Sequence, residues 1–313
     1  MTSVTLEARW LTKRFGTRTA VAEVSFTAEP GEVVGLLGPN GAGKTTTIRL
    51  LTTMLVPTSG EFSVAGVGSD QPTEIRRRIG VLPESAGYPG HQTGAEYLRY
   101  YARLFGLARP DAVRVAERLL AEVGLAERAG SRIATYSRGM RQRLGIARAL
   151  VNEPAVVFLD EPTLGLDPAG QRQVLSIVRT IARRSNATVV LSTHLLPEVE
   201  EVCTSVVILD RGRVLASGTV AEVTRAAATR RTARLRVPVA LVDRAREALA
   251  GVAGLTLEAD DRPDVLRLSL AGDAGTNAAL RAVLDAGIPV LSFEADGARL
   301  TDAFLTMTGG GAR

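Results

Sequence analysis

The stretch "GPNGAGKTT" (Gly38–Thr46) decides how this chain is read. It follows the short apolar run "EVVGLL" (32–37) and precedes "TTTIRLLTTML" (45–55), whose apolar residues recur at helical spacing. The order is therefore buried strand, glycine-rich loop, helix. Gly38, Gly41 and Gly43 let the loop curl until successive N–H groups converge, and the helix start adds partial positive charge. Lys44 supplies a compact cation for β- and γ-phosphates and Thr45 a hydroxyl for Mg²⁺, so the pattern G-x-x-x-x-G-K-[ST] is a seat for a nucleotide triphosphate. Of 38 Lys and Arg residues only Lys13 and Lys44 are lysines. An arginine fork is too wide and planar for this loop, which accounts for the rare lysine here.

Working outward, "AVVFLD" (155–160) and "ATVVLSTH" (187–194) are further continuous apolar runs, separated by a helical pattern over roughly 168–185. Such runs suit parallel strands covered on both faces, so the fold class is α/β. Between about 92 and 152 the chain turns helical in "GAEYLRYYARLFGL", "DAVRVAERLLAEVGL" and "RGMRQRLGIARALV", a helical insertion. Tyr97, Tyr101 and Phe105 share one face at i, i+4, i+8; packing is the plain reading of that stripe, and a partner-facing surface is the other. From 221 onward the pieces "RTARLRV", "LVDRAREALA", "LTLEAD", "VLRLSL", "NAALRAVLDA", "VLSFEAD" and "RLTDAFLTM" run strand, helix, strand, strand, helix, strand, closing helix. That order predicts a small α+β domain of split βαβ type over 221–313, a structural or docking module, with "GGGAR" fraying at its end.

Composition limits the function. No apolar run among the 313 residues approaches the ~18 needed to span a bilayer. The net charge of +5 is spread as 26 basic against 21 acidic residues over 1–220 and 12 against 12 over 221–313, which gives no nucleic-acid tail. A lone cysteine, Cys203, excludes an internal disulfide, and "MTSVTLEARW" lacks a secretory pattern, so a reducing cytoplasm is expected.

"AVVFLDEPT" ends its strand on two acids. Successive side chains on a strand diverge, which predicts that Asp160 addresses the Mg²⁺ shell and Glu161 an attacking water. "YSRGMRQRL" (136–144) poses a different problem: a serine, a glycine and three arginines crowd the start of a helix, where backbone N–H groups lack partners. Ser137 precedes Met140, Leu144, Ala147 and Val151 at helical spacing and is placed to cap that helix, whose dipole then faces an anion.

With these motifs in hand, the chain resembles the ATP-binding subunits of ABC transporters over residues 1 to about 220. The resemblance implies a P-loop nucleotide-binding domain with a helical subdomain at about 92–152. It places ATP on Gly38, Pro39, Asn40, Gly41, Ala42, Gly43, Lys44, Thr45 and Thr46, with Phe15 stacked on adenine. Thr45, Glu84 and Asp160 hold Mg²⁺. Glu161, His194 and Lys44 are the catalytic set, His194 in "LSTH" being the switch histidine. Ser137 and Gly139 of the signature loop address the nucleotide of a second copy in a head-to-tail homodimer, and Asp167 of the D-loop "LGLDP" is a further nucleotide-binding residue.

Three departures from the family pattern stand out: Glu84 where a glutamine is usual, YSRGM where LSGGQ is commonest, and Leu164 in place of the D-loop serine. Together with the C-terminal appendage they resemble the drug and antibiotic exporter branch, of daunorubicin-resistance type. The expected partner is then a separate polytopic membrane permease, with the chain peripheral at the inner face of the cell membrane and no nucleic acid involved. A rival reading is a soluble ABC-type ATPase acting on ribosome or nucleic acid. Such proteins carry two cassettes per chain or a long coiled coil, and this sequence has one phosphate loop, one signature and neither insertion.

Overall fold

The computed structural model describes residues 4–227, 231–258, 262–270, 272–295, 300 and 304. It divides into two compact units, one ending at Val220 and the other beginning at Ala221. Among the described residues the first unit contains an antiparallel sheet, a mostly parallel sheet and a set of helices. The antiparallel sheet is formed by β1 (Leu6–Phe15), β2 (Arg18–Ala28), β4 (Ser59–Val64) and β5 (Val67–Gly68) in the order β2-β1-β4-β5. The parallel sheet contains β3 (Val33–Leu37), β6 (Ile79–Leu82), β7 (Val156–Asp160), β8 (Thr188–Thr193) and β9 (Ser205–Asp210), with β10 (Arg213–Thr219) antiparallel at one edge, in the order β10-β9-β3-β8-β7-β6.

Strands β3, β7 and β8 are buried along their whole length. Pleating sends their alternate side chains into two separate cores. On one face Val34, Leu36, Val156, Phe158 and Val190 pack with α1 (Lys44–Leu51) and the antiparallel sheet. On the other Val33, Val157, Leu159, Val189 and Leu191 pack with the helical layer of α3 (Gly94–Leu104), α4 (Arg109–Glu122), α5 (Arg138–Ala149) and α6 (Pro168–Ser185). Two-sided burial is why these strands read as unbroken apolar runs rather than alternating ones. The shorter helices are α2 (Pro72–Arg78) and α7 (Leu196–Val202), and α8 (Val220–Ala227) follows β10 at the start of the second unit.

Helix boundaries follow local chemistry. Thr93 and Glu96 form a reciprocal capping box at the start of α3. Helix α1 stops at Leu51, earlier than the apolar spacing to Leu55 predicts. Thr53 adopts φ 60°, and the Met54 and Leu55 amides fold back onto the Arg49 carbonyl, closing the helix end. In the aromatic stripe Tyr97 is buried, its ring 5.8 Å from Tyr88 and 5.0 Å from Tyr101, and burial pushes its hydroxyl up to about 12, while Phe105 remains exposed beyond the helix. Packing therefore accounts for its buried half.

The second unit has β11 (Arg231–Arg236), α9 (Val242–Ala250), β12 (Leu255–Glu258), β13 (Val265–Leu270), α10 (Gly272–Asp285) and β14 (Ser292–Ala295). Its antiparallel sheet runs β12-β13-β11-β14, the split βαβ order. Ala233, Leu235, Leu266 and Leu268 face Ala245, Leu249 and Val283 in its core. Of the closing helix expected over 299–307 only Leu300 and Phe304 are described, both helical; the rest, and "GGGAR", lie outside the described residues.

Phe158, fully buried two residues before the Asp160 carboxylate, tests how far this sheet depends on its core. Phe158→Ala is expected to cost about 3–5 kcal/mol, read as a lower guanidinium midpoint at unchanged slope for the first unit.

Candidate functional site

Parallel strands order the site. β3, β8 and β7 are neighbours in register, with Leu37 level with Thr193 and Asp160 level with Ser192. Their carboxyl ends therefore open into one crevice, the place where ligands bind in open α/β sheets. The glycine loop leaves β3, the acid pair ends β7, and His194 follows β8.

The loop closes tightly on itself. A Cβ at Gly38 would stand 2.4 Å from the Leu209 carbonyl, so no larger residue fits. Gly43 caps α1 at φ 106°, outside what an L side chain adopts readily. The buried Lys44 ammonium donates to the Gly38 carbonyl at 2.7 Å and the Pro39 carbonyl at 3.3 Å, and lies 3.5 Å from Glu161 Oε1. Its charge is thus held at the mouth of the loop.

Asp160 and Glu161 diverge as expected, but for a different reason from strand alternation. The strand ends at Asp160, and Glu161 turns into the left-handed region at φ 48°, an uncommon and costly conformation for a residue with a side chain. Asp160 Oδ1 accepts from Thr45 Oγ1 at 3.1 Å and from Ser192 Oγ at 2.5 Å. Glu161, 8% exposed, faces Lys44 with one oxygen, and its Oε2 lies 2.9 Å from His194 Nδ1. Ser192 joins the two acids, because its hydroxyl also accepts from the Glu161 N–H at 2.9 Å. Nothing in the sequence singles out Ser192, since a serine inside an apolar run reads as an ordinary strand residue. Thr193 frames the histidine: its hydroxyl donates to the buried Glu198 Oε2 at 2.7 Å and accepts from the Leu195 N–H at 3.0 Å.

Around these groups is a cleft of about 410 Å³ lined by Asn40, Gly41, Ala42, Gly43, Lys44, Thr45, Thr46, Glu84, Glu161 and His194, with Arg18, Ala20 and Leu164 added by the fold. Phe15 stands exposed at the end of β1, its ring 5.3 Å from the Lys13 ammonium, and its strand partner is Arg18 of the cleft wall. Ser137, Gly139 and Asp167 do not line this cleft. Ser137 caps α5, accepting from the Met140 N–H at 3.2 Å, and Asp167 caps α6, accepting from the Gly170 N–H at 3.3 Å. A wider hollow of about 1090 Å³ on the outer side of the antiparallel sheet, around Trp10, gathers none of these motif residues.

The cleft fits a nucleotide triphosphate. It has a glycine-rich loop at a helix start, a buried ammonium, and oxygen donors of the hard type that Mg²⁺ takes: the Thr45 hydroxyl and the Asp160 and Glu84 carboxylates. Among the described residues no three His, Cys, Asp or Glu side chains form a metal cluster, so the ion would share its coordination with phosphate oxygens.

Comparison with known proteins agrees with this geometry. The family model described as ABC transporter matches residues 21–164. The chain is 35% identical over 306 residues to the daunorubicin/doxorubicin resistance ATP-binding protein DrrA of Streptomyces peucetius, covering 97% of this chain and 92% of that one. It is 36% identical over 215 residues to the linearmycin resistance ATP-binding protein LnrL of Bacillus subtilis, covering 68% and 69%. A solved ATP-binding subunit of an ABC transporter superposes with a TM-score of 0.64 at 35% identity, over 71% of this chain and 92% of that one.

Because Ser192 anchors both acids, Ser192→Ala removes one hydrogen bond to a charged group. If that loss of about 1.5–3 kcal/mol falls on the transition state, turnover of ATP should drop roughly 10–100-fold, measured by phosphate release at saturating ATP. Unchanged turnover would show that the serine is dispensable to the acid pair.

Proposed function

Since this chain belongs to the ABC transporter family, as an ATP-binding subunit with ATPase activity, we propose that two copies close head to tail around two ATP molecules and drive a separate polytopic membrane permease. The observation that carries this reading is the division of the motif residues. Lys44, Thr45, Glu84, Glu161 and His194 share one cleft, whereas Ser137, Gly139 and Asp167 stand at two helix starts outside it. A helix N-terminus capped by serine and carrying arginines suits an anion, and in a head-to-tail pair that anion is the γ-phosphate held by the other copy.

In this reading Phe15 stacks on adenine, residues 38–46 wrap the phosphates, and Lys44 neutralises the β- and γ-oxygens. Thr45, Asp160 and Glu84 hold Mg²⁺, which when bound offsets the charge of the phosphates. Glu161 orients a water and takes up its proton as the water oxygen bonds to the γ-phosphorus and the bridging bond to ADP breaks. His194, held on Glu161 in the single chain, orients that carboxylate and the departing phosphate. The left-handed turn at Glu161 aims the carboxylate at the loop rather than into the core. Release of phosphate removes the contacts across the pair, which reopens.

No helix among the described residues is long and apolar enough to cross a membrane. We therefore assign the transport path to the permease, docked near Glu84 and the helical layer, with this chain at the inner, cytoplasmic face. The resistance named in two relatives supports a drug- or antibiotic-like cargo moved outward. Residues 1–220 are the ATP-binding domain. Residues 221–313 are an accessory domain, and DrrA matches 97% of the chain rather than the first unit alone, which supports its belonging to that exporter branch.

Two variants test the reading. Glu161→Gln should retain ATP binding, lower turnover by about 10²–10⁴-fold and accumulate a dimer in ATP and Mg²⁺, followed by light scattering; a monomer with unchanged turnover refutes it. Ser137→Arg should abolish turnover while the single chain still binds ATP by titration, and loss of both would reduce Ser137 to a helix cap.

A further inference from the structure

Arg138 is the first residue of α5, directly after the capping Ser137. A cation at a helix N-terminus faces the positive end of the dipole, and the first turn of α5 contains no acid to offset it. Among the described residues Arg138 makes no ion pair. Its side chain is exposed, and its guanidinium lies beside Gly165, with Cζ 2.5 Å and Nη1 2.6 Å from where a Cβ would stand. Gly165, at φ 69°, leaves a bare patch of backbone on the loop that leads to Asp167. This is a resting place on uncharged backbone, one that leaves the fork's donors without a carboxylate.

The cleft has the opposite imbalance. Arg18 and Lys44 face Glu84 and Glu161, with Asp160 behind Thr45. With Mg²⁺ bound, these two cations and the ion would meet three carboxylates and a triphosphate, so negative charge stays in excess. Glu84 contributes the excess directly, because it lines the cleft with a carboxylate.

Resting on the head-to-tail pairing above, we propose that Arg138 is a phosphate-binding residue in trans: on closure it leaves Gly165 and donates its fork to the γ-phosphate in the facing copy's cleft, offsetting the charge of that copy's Glu84. A planar guanidinium suits this role because it can offer two parallel N–H donors to two phosphate oxygens. It also gives closure a dependence on the γ-phosphate that ADP cannot meet. The signature glycine position filled by arginine and the glutamate at 84 are then two halves of one charge arrangement.

The test is a double-mutant cycle in the Glu161→Gln chain, measuring the dimer dissociation constant in ATP and Mg²⁺ by sedimentation at several salt concentrations. Arg138→Met, which keeps the apolar stem and removes the charge, should weaken the dimer at least tenfold and flatten its salt dependence, with the thermal midpoint of the nucleotide-free chain unchanged. Arg138→Lys should recover part of the loss. Adding Glu84→Gln should shrink the cost of Arg138→Met several-fold. A dimer indifferent to Arg138→Met, or a cost that is the same with Glu84→Gln, overturns the proposal. Failure of the Glu161→Gln chain itself to dimerise overturns the pairing instead, before Arg138 is reached.

Discussion

The structure turns on the contact between Asp160 and the two hydroxyls that reach it, Thr45 from the helix after β3 and Ser192 from the end of β8. One buried carboxylate joins three chain segments whose sequence positions are far apart. Buried charge is tolerable only when it is hydrogen-bonded on several sides, and here both hydroxyls point to the same oxygen. Through Ser192 the contact continues to the Glu161 N–H, and from Glu161 to Lys44 and His194. The phosphate loop, the acid pair and the histidine are thereby one polar network held above a dry, two-sided apolar sheet.

That network explains the cost taken at Glu161. A left-handed backbone at a non-glycine residue is unfavourable by a few kcal/mol at most, and it persists because Ser192 fixes the amide with both its hydroxyl and its carbonyl. Continuing as a strand would have sent Glu161 away from Asp160 along the pleat. The turn brings it instead beside the Lys44 ammonium.

The same logic separates the two units. The first places the buried acids Asp160 and Glu161, and the left-handed turn at Glu161, at the carboxyl end of a parallel strand. The second, an antiparallel sheet with helices on one face, gathers an apolar core of Leu, Val and Ala and, among its described residues, no comparable cluster of strained acids.

Much of this was legible in the amino-acid order, for physical reasons that are local. A glycine loop between a strand and a helix needs Gly38 for space and Lys44 for compact charge, and both demands are visible in nine consecutive residues. Unbroken apolar runs announced buried parallel strands because two-sided burial leaves no polar face, and Ser137 announced a helix start because capping acts over three residues. Other features depend on which strands are neighbours. Ser192 is an unremarked serine until β8 lies between β3 and β7, and Arg18 belongs to the cleft only because β2 folds back beside the loop. The antiparallel sheet around Trp10 is not legible in the sequence, since its alternation is broken by bulges that shift register between Ala8 and Leu11. The turn at Glu161 was likewise decided by tertiary contacts, because it exchanges a local preference for hydrogen bonds to Ser192, which only the fold brings near.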